Sequence, residues 1–492
     1  MSFRFYTNVQ MVGDHFLVRG YEDGKQFIRR DEGFRPTLFV PTNKKTKYKT
    51  LNGEHVSPIK PGCITDCRNF IKKYDGVNNF KIYGNEKYIY QYISDNYPEK
   101  EIKFDIGKIK VYTIDIEVAS ENGFPDVNNA AEEILLITIQ DYNTKQIITW
   151  GQGPFKLKQD NHYYKQFNNE YDLLNDFINW WMVDDNIPEI ITGWNSEAYD
   201  IPYIVRRLYK VLGQKLTKRF SPWGLVSERE LVVMGRTQIQ YDIGGITQLD
   251  YMTLYKKFTY KAQESYRLDY IGFIELGQQK LDHSEFDTFK DFYTNGWQKF
   301  VEYNVKDVEL VDSLEDKMKL IELAITMAYD AKVNYTDVFS QVRMWDTIIY
   351  NYLKDRNIAI PPKENVSKDE KYAGAYVKEP IPGVYDYVVS FDLNSLYPHL
   401  LMQYNISPET LLEERHPNVS VEKILNREIN FEMYKDYAVC PNGAMYRKDI
   451  RGFLPEIMEK IYKERTVYKK KMLDEKKKLE EIENEMNRRK II

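Results

Sequence analysis

Three cysteines in 492 residues, Cys63, Cys67 and Cys440, are too few for a disulfide framework. Neither Cys63 nor Cys67 has a nearby histidine or cysteine pair, which argues against structural zinc. No apolar run approaches the roughly 18 residues of a membrane helix. The opening MSFRFYTNVQMVGDHF lacks the basic flank and apolar core of a secretion signal. The expectation is an intracellular, reduced protein with no membrane partner. Excess positive charge is missing too. The net charge is −5, so any nucleic-acid surface has to be local. There is no internal repeat, and low complexity is confined to the lysine-rich end.

What is present is ample for folding. Hydrophobic residues make up 42% and charged residues 29% of the chain, mixed in sign, which is unlike a disordered chain. The length exceeds one core, and roughly three domains of ordinary size are expected. Residues 1–107 mix short alternating stretches (FRFYTNVQMV, HFLVRGY) with Gly and Pro turns, the pattern of an α+β module. From 108 to about 320, β runs alternate with helical patterns such as YDLLNDFINWWMV, an α/β arrangement. DKMKLIELAITMAYDAK reads as one periodic helix, and PPKENVSKDEK (361–371) as a linker. One long charged helix runs from about 455 to the end.

The chemistry lies in acids placed on these elements. In VYTIDIEVAS, period-two alternation puts Val111, Thr113, Asp115 and Glu117 on one face and Tyr112, Ile114, Ile116 and Val118 on the other. Two carboxylates on a strand built for burial are costly unless something cationic compensates them; the plain alternative is a solvated edge strand. ITGWNSEAYD then places Asn195, Tyr199 and Asp200 at the start of a helical pattern, where Asp200 could simply be an N-cap. In FVEYNVKDVELVDSL, Tyr303 and Asp307 fall at i and i+4 of a helix and share a face. Further on, VVSFDLNSLYP (388–398) reads as a buried strand ending in Asp392 and a tight turn.

D-x-E, N-x-x-x-Y-D and Y-x-x-x-D, in this order and these contexts, resemble the three motifs of the DnaQ-like, RNase H-like 3′–5′ exonucleases. The resemblance implies that Asp115, Glu117, Asp200 and Asp307 hold two Mg²⁺ (or Mn²⁺) ions, one activating water and one stabilising the leaving 3′-oxygen. Tyr303 would orient the water, and Asn195 would position the substrate strand or support the metal site.

SFDLNSLYP resembles motif A of family B DNA polymerases, with His399 in place of the usual Ser. YAGAYVKEPIP, QYNISPET, CPNGAMYRKDIRGFLPE and VFSQVRMWDTIIYNYL narrow the resemblance to the replicative polymerases of T-even-type bacteriophages, over essentially the whole chain. It implies an N-terminal domain (1–107), a 3′–5′ exonuclease domain (108–320) and a helical return segment and linker associated with the N-terminal domain (321–379). A partial palm (380–455) and the first finger helix (456–492) would follow. By the same resemblance Asp392 ligates both ions of a second metal pair, with Leu393 offering its carbonyl. Ser395 and Leu396 contact the incoming dNTP through their backbones, and Tyr397 acts as the steric gate against a 2′-hydroxyl. Arg465 and Lys469, one turn apart, grip the triphosphate. ELVVMGRTQIQYDIGG reads as a β-hairpin around Gly235, which in this family helps pass the primer strand between active sites.

After Asp392 there is no Y-G-D-T-D-S segment, no K-x-x-x-N-S-x-Y-G helix and no thumb. The expectation is the N-terminal part of a phage-type polymerase, located in the cytoplasm of the infected bacterial host and completed by a second polypeptide. Its partners would be primer–template and single-stranded DNA, dNTP and, through the second part, a sliding clamp. The alternatives are a free-standing 3′–5′ exonuclease and a nucleic-acid-binding regulator, since N-terminal modules of this family are linked to RNA binding.

Overall fold

The computed structural model describes residues 3–77, 80–120, 123–233, 236–362 and 379–490. The chain divides into two compact units, residues 1–48 with 55–362, and residues 49–54 with 363–492.

The first unit begins with an antiparallel meander of Arg4–Val12, His15–Glu22 and Lys25–Asp31. Its second turn is Asp23–Gly24, both at positive φ, the backbone a two-residue hairpin turn demands and Asp-Gly tolerates. The helices Ile64–Tyr74 and Tyr88–Asn96 contribute to the same core as the meander. There Phe16 stacks on Tyr92 with ring centroids 4.2 Å apart. The helix Leu320–Ala331 also contributes to this core. Tyr329 donates to the Tyr6 carbonyl at 2.6 Å, and Tyr6 donates to the Val333 carbonyl at 2.7 Å.

The periodic run expected as a single helix is two. Trp297–Met318 ends at Lys319, which adopts a left-handed conformation (φ 54°), and Leu320–Ala331 starts afresh. The Glu315 carboxylate accepts from the Ile321 amide at 3.0 Å. It thereby satisfies a donor that the second helix's first turn would otherwise leave bare. Periodicity alone does not register such a one-residue break.

The unit's main sheet has six strands, in the order Thr247–Gln248, Ile190–Thr192, Val111–Val118, Ile134–Asp141, Ile147–Gly151 and His162–Gln166. The acid-bearing strand Val111–Val118 is interior, parallel to Ile190–Thr192 and antiparallel to Ile134–Asp141. The edge-strand alternative is therefore excluded. Tyr112, Ile114, Ile116 and Val118 enter a core shared with Leu173, Phe177 and Ile204, from the helices Glu170–Trp181 and Asp200–Leu212. Each such side chain is worth about 1.5–3 kcal/mol when buried. A one-residue slip would drive both carboxylates into that core, so the apolar face fixes which face the acids occupy.

The hairpin is present as Val226–Val233 paired with Arg236–Ile243, in register to Val233↔Arg236. Its two turn residues, Gly235 included, and residues 363–371 of the expected linker lie outside the described residues.

In the second unit, the expected buried strand at 388–393 is not one. Val388, Val389, Phe391 and Leu393 are exposed and in no regular element, and Asp392 is exposed with them. Isolated strands have no partners for their amides and carbonyls. Among the described residues no neighbour pairs with this one. Helix begins just beyond it, at Leu396–Gln403, and the unit's longest element is Phe453–Lys490. His399 packs edge-on against Tyr462 of that long helix, at 4.7 Å.

Candidate active site

Three carboxylates from two elements converge. Asp115 and Glu117 come from the central strand and Asp307 from the helix Trp297–Met318, and one oxygen of each lies within 4.8 Å of the others. Strand alternation supplies the first two and helical spacing the third. Asp200 stands beside them without belonging to that close group. It is the first residue of its helix, and Tyr199 occupies the N-cap position. Its Oδ1 accepts from the Ile116 amide at 3.0 Å. The carboxylate thus ties its helix to the acid-bearing strand, and simple capping does not describe it.

The electrostatics are those of a site short of positive charge. Burial raises Asp115 well above the ordinary carboxylate range, and the charges of Asp200, Asp307 and Glu117 add to this. Burial, then Asp307, pushes Glu117 up to about 8. Burial pushes Asp200 up to about 7. Like charges this close disfavour ionisation unless a cation joins them.

Two side chains that sequence reasoning missed complete the cluster. Lys280 meets the Asp307 carboxylate directly and donates to the Tyr303 hydroxyl at 3.1 Å. Burial would lower its pKa, but the charges of Asp307, Tyr303 and Asp115 outweigh that and raise it. Burial pushes Asp307 upward against the pull of this ammonium. Asn304 donates from Nδ2 to Asp115 Oδ2 at 2.5 Å. Asn304 was legible in principle, because it precedes Asp307 by three on the same helix face. Lys280 sits in the irregular stretch GQQKLDH, where no periodicity marks it.

The group fits a divalent cation on an observation of its own. Asp307 Oδ1 and Asn304 Oδ1 are buried without a hydrogen-bond partner, although buried polar atoms are normally paired. An all-oxygen donor set of this kind suits hard cations.

Asn195 lies near the start of this region at φ 67°, its carbonyl accepting from the amides of Ala198 and Tyr199. The left-handed kink turns the chain from strand Ile190–Thr192 into the helix that begins with Asp200. In the second unit, Asp392, Leu393 and Tyr397 are exposed, and Leu396 opens the short helix. Ser395 is at φ 54°, and its carbonyl accepts from the His399 amide at 3.2 Å. Arg465 and Lys469 are exposed on the long helix. Among the described residues, only the first unit gathers three carboxylates closely enough to share an ion.

Fold and site define an α/β unit that gathers carboxylates around an interior strand, a donor set that suits a hard cation. The family follows from comparison. Residues 58–271 match the model of the DNA polymerase family B exonuclease domain, and residues 336–488 that of DNA polymerase family B. The DNA-directed DNA polymerase of Escherichia phage RB69 is 32% identical, over 95% of this chain and 54% of its own length. That of Enterobacteria phage T4 is 32% identical, over 97% of this chain and 55% of its own. The DNA polymerase of Pyrococcus glycovorans is 23% identical over 92% of this chain. The chain belongs to DNA polymerase family B and carries that family's exonuclease domain. It spans about half the length of the curated relatives it matches. No helix among the described residues is long and apolar enough to cross a membrane.

Proposed function

We propose that the first unit is a 3′–5′ exonuclease that proofreads for a phage-type replicative DNA polymerase, and that its fold is RNase H-like. The observation that carries this is the convergence of Asp115, Glu117 and Asp307 beside Asp200, Lys280 and Tyr303. Mg²⁺ or Mn²⁺, two ions per site, would be held by the four acids and would supply Lewis-acid stabilisation of the attacked phosphate. Tyr303 orients the attacking water through its hydroxyl, itself positioned by the Lys280 ammonium. Asn304 fixes the rotamer of Asp115, so that its other oxygen faces the substrate. Asn195 holds the backbone turn that presents Asp200.

The second unit supplies half of a polymerising site in the same reading. Asp392 would ligate metal, with Leu393, Ser395 and Leu396 offering backbone groups. Tyr397 would exclude the ribose 2′-hydroxyl, and Arg465 and Lys469 would hold the triphosphate. The exposed apolar run Val388–Leu393 supports this, since a run of this kind asks for sheet neighbours. The remaining palm, fingers and thumb would come from sequence outside these 492 residues, and a sliding clamp would engage that part. Primer–template and dNTP are the substrates, the infected host cytoplasm is the setting, and RNA binding belongs to the N-terminal meander and helices. The domain limits at 107, 320, 379 and 455 are proposed on the same basis.

The test is cleavage of 3′-labelled single-stranded DNA with Mg²⁺. Asp115→Ala with Glu117→Ala should abolish it, because metal-centred stabilisation is worth several kcal/mol. Full activity in that double variant would mean the site is misassigned.

A further inference from the structure

The first unit carries a second feature suited to nucleic acid, away from the acid cluster. From Ile201 to Ser227 the sequence has six Lys or Arg residues and no Asp or Glu, in a chain whose net charge is −5. The cations fall on the helix Asp200–Leu212 and the short helical turns that follow it. Beneath them runs an open groove of about 460 Å³ between that helix and the hairpin strands. Arg206, Tyr209, Lys210, Lys218, Glu228 and Tyr241 are among the residues lining it.

The charges in this groove are largely free to act on a ligand. Glu228 is its one carboxylate, and it is engaged by Arg206 at 3.2 Å and by the Tyr241 hydroxyl at 2.6 Å. Lys210 donates to the backbone carbonyls of Asn129 and Ala130. Carbonyls fix an ammonium in place without neutralising it. Among the described residues, Lys215, Lys218 and Arg219 have no ion-pair partner. Beside these cations Tyr209 stands 58% exposed, leaving its ring face open. A cationic groove with an exposed aromatic ring is the combination that holds a single strand, phosphates along the cations and a base on the ring. An acidic polypeptide would use the charges but give the ring nothing planar to stack on. A duplex would need a broader face than a groove of this volume.

We propose that this groove is a secondary binding site for single-stranded nucleic acid, gripping phosphates with Lys210, Lys218 and the flanking Lys215, and stacking a base on Tyr209. Lys210 lies ten residues beyond Asp200, about 15 Å along the helix axis. The site therefore holds a strand at a distance from the acids, and a trinucleotide in the exonuclease site would not reach it. Only the choice of occupant rests on the nucleic-acid function proposed above.

The experiment uses the full chain with Asp115→Ala and Glu117→Ala, in EDTA, so that the probe survives. Fluorescence anisotropy measures binding of a labelled dT dodecamer and of a dT trinucleotide across a salt series. Lys210→Glu, Lys215→Glu and Lys218→Glu together should weaken dodecamer binding about tenfold. They should also flatten the log–log salt dependence by about 2, from three lost phosphate contacts at about 0.7 each. Tyr209→Ala, which leaves every charge in place, should weaken dodecamer binding about fivefold or more without changing the slope. The trinucleotide, which can occupy either the groove or the exonuclease site but cannot span both, should lose less in each variant. Unchanged dodecamer binding would overturn the proposal. So would poly-glutamate binding at this face that the dodecamer does not displace. In parallel, trinucleotide cleavage with Mg²⁺ is read on the chain with its acids intact. Failure of the parent there counts against the exonuclease and leaves the groove's result standing.

Discussion

Removing the Lys280 ammonium should expose how much of the first unit's stability depends on compensating its acids. In Lys280→Met the side chain keeps its apolar length but loses its charge. Asp307, whose side chain is only 4% exposed, then stands beside Asp115 and Glu117 without its ion-pair partner. Breaking a buried pair from one side costs about 3–5 kcal/mol. The Lys280 side chain is 27% exposed, so water screens part of the loss and the lower end, about 3 kcal/mol, applies. For a unit of this size that is a fall in Tm of roughly 4 °C. All seven tryptophans lie in the first unit, so their fluorescence on heating follows that unit alone. In EDTA the variant should melt well below the parent. With Mg²⁺ at about 100 times its dissociation constant, binding to the folded state returns about 2.7 kcal/mol, so the variant in Mg²⁺ should melt close to the parent in EDTA. A Lys280→Met protein as stable as the parent in EDTA would refute the reasoning. It would mean that Asp307 also takes up a proton once the ammonium is gone, as its raised neighbours do, and does not need the lysine.

How much of this was visible in the sequence varies with the kind of signal. Asp115 and Glu117 were legible because strand alternation is rigid, and an apolar opposite face of Tyr112, Ile114, Ile116 and Val118 admits one register. Asp307 was legible by its spacing from Tyr303 within a long helix. Lys280 was not, because its position depends on a loop folding back over a helix that begins seventeen residues later, and no local period encodes that. The break at Lys319 was hidden for a related reason. The side chain that caps the new helix, Glu315, is an ordinary helical residue until the chain turns. The run Val388–Leu393 failed in the opposite sense. Its composition is that of a buried strand, but a strand is made by its neighbours, and none is found among the described residues.

The remaining expectations test the site and its surroundings. Asn304→Leu removes the hydrogen bond to Asp115, and the Mg²⁺ concentration for half-maximal cleavage should rise about 10- to 100-fold, as read in a metal titration. These 492 residues alone should extend no primer, because Asp392 has no second acid to share a metal pair; template-directed incorporation by purified protein would contradict this. Gly193→Ala should lower stability by about 2 kcal/mol, as overpacking does. Its Cβ would come within 2.5 Å of the Ile114 carbonyl, on the strand that carries the acids. The last concerns pH. Glu117 and Asp200 have folded-state values of about 8 and about 7, raised above their unfolded values of roughly 4. A group raised on folding contributes its stability in full below the unfolded value and loses it as pH rises through the folded one. In EDTA the tryptophan-detected Tm should therefore fall between pH 6 and pH 9. With Mg²⁺ present the trend should flatten, because the cation favours the ionised acids. A Tm that stays level over that interval in EDTA would mean the acids are already ionised and compensated at pH 6, with Lys280 sufficing.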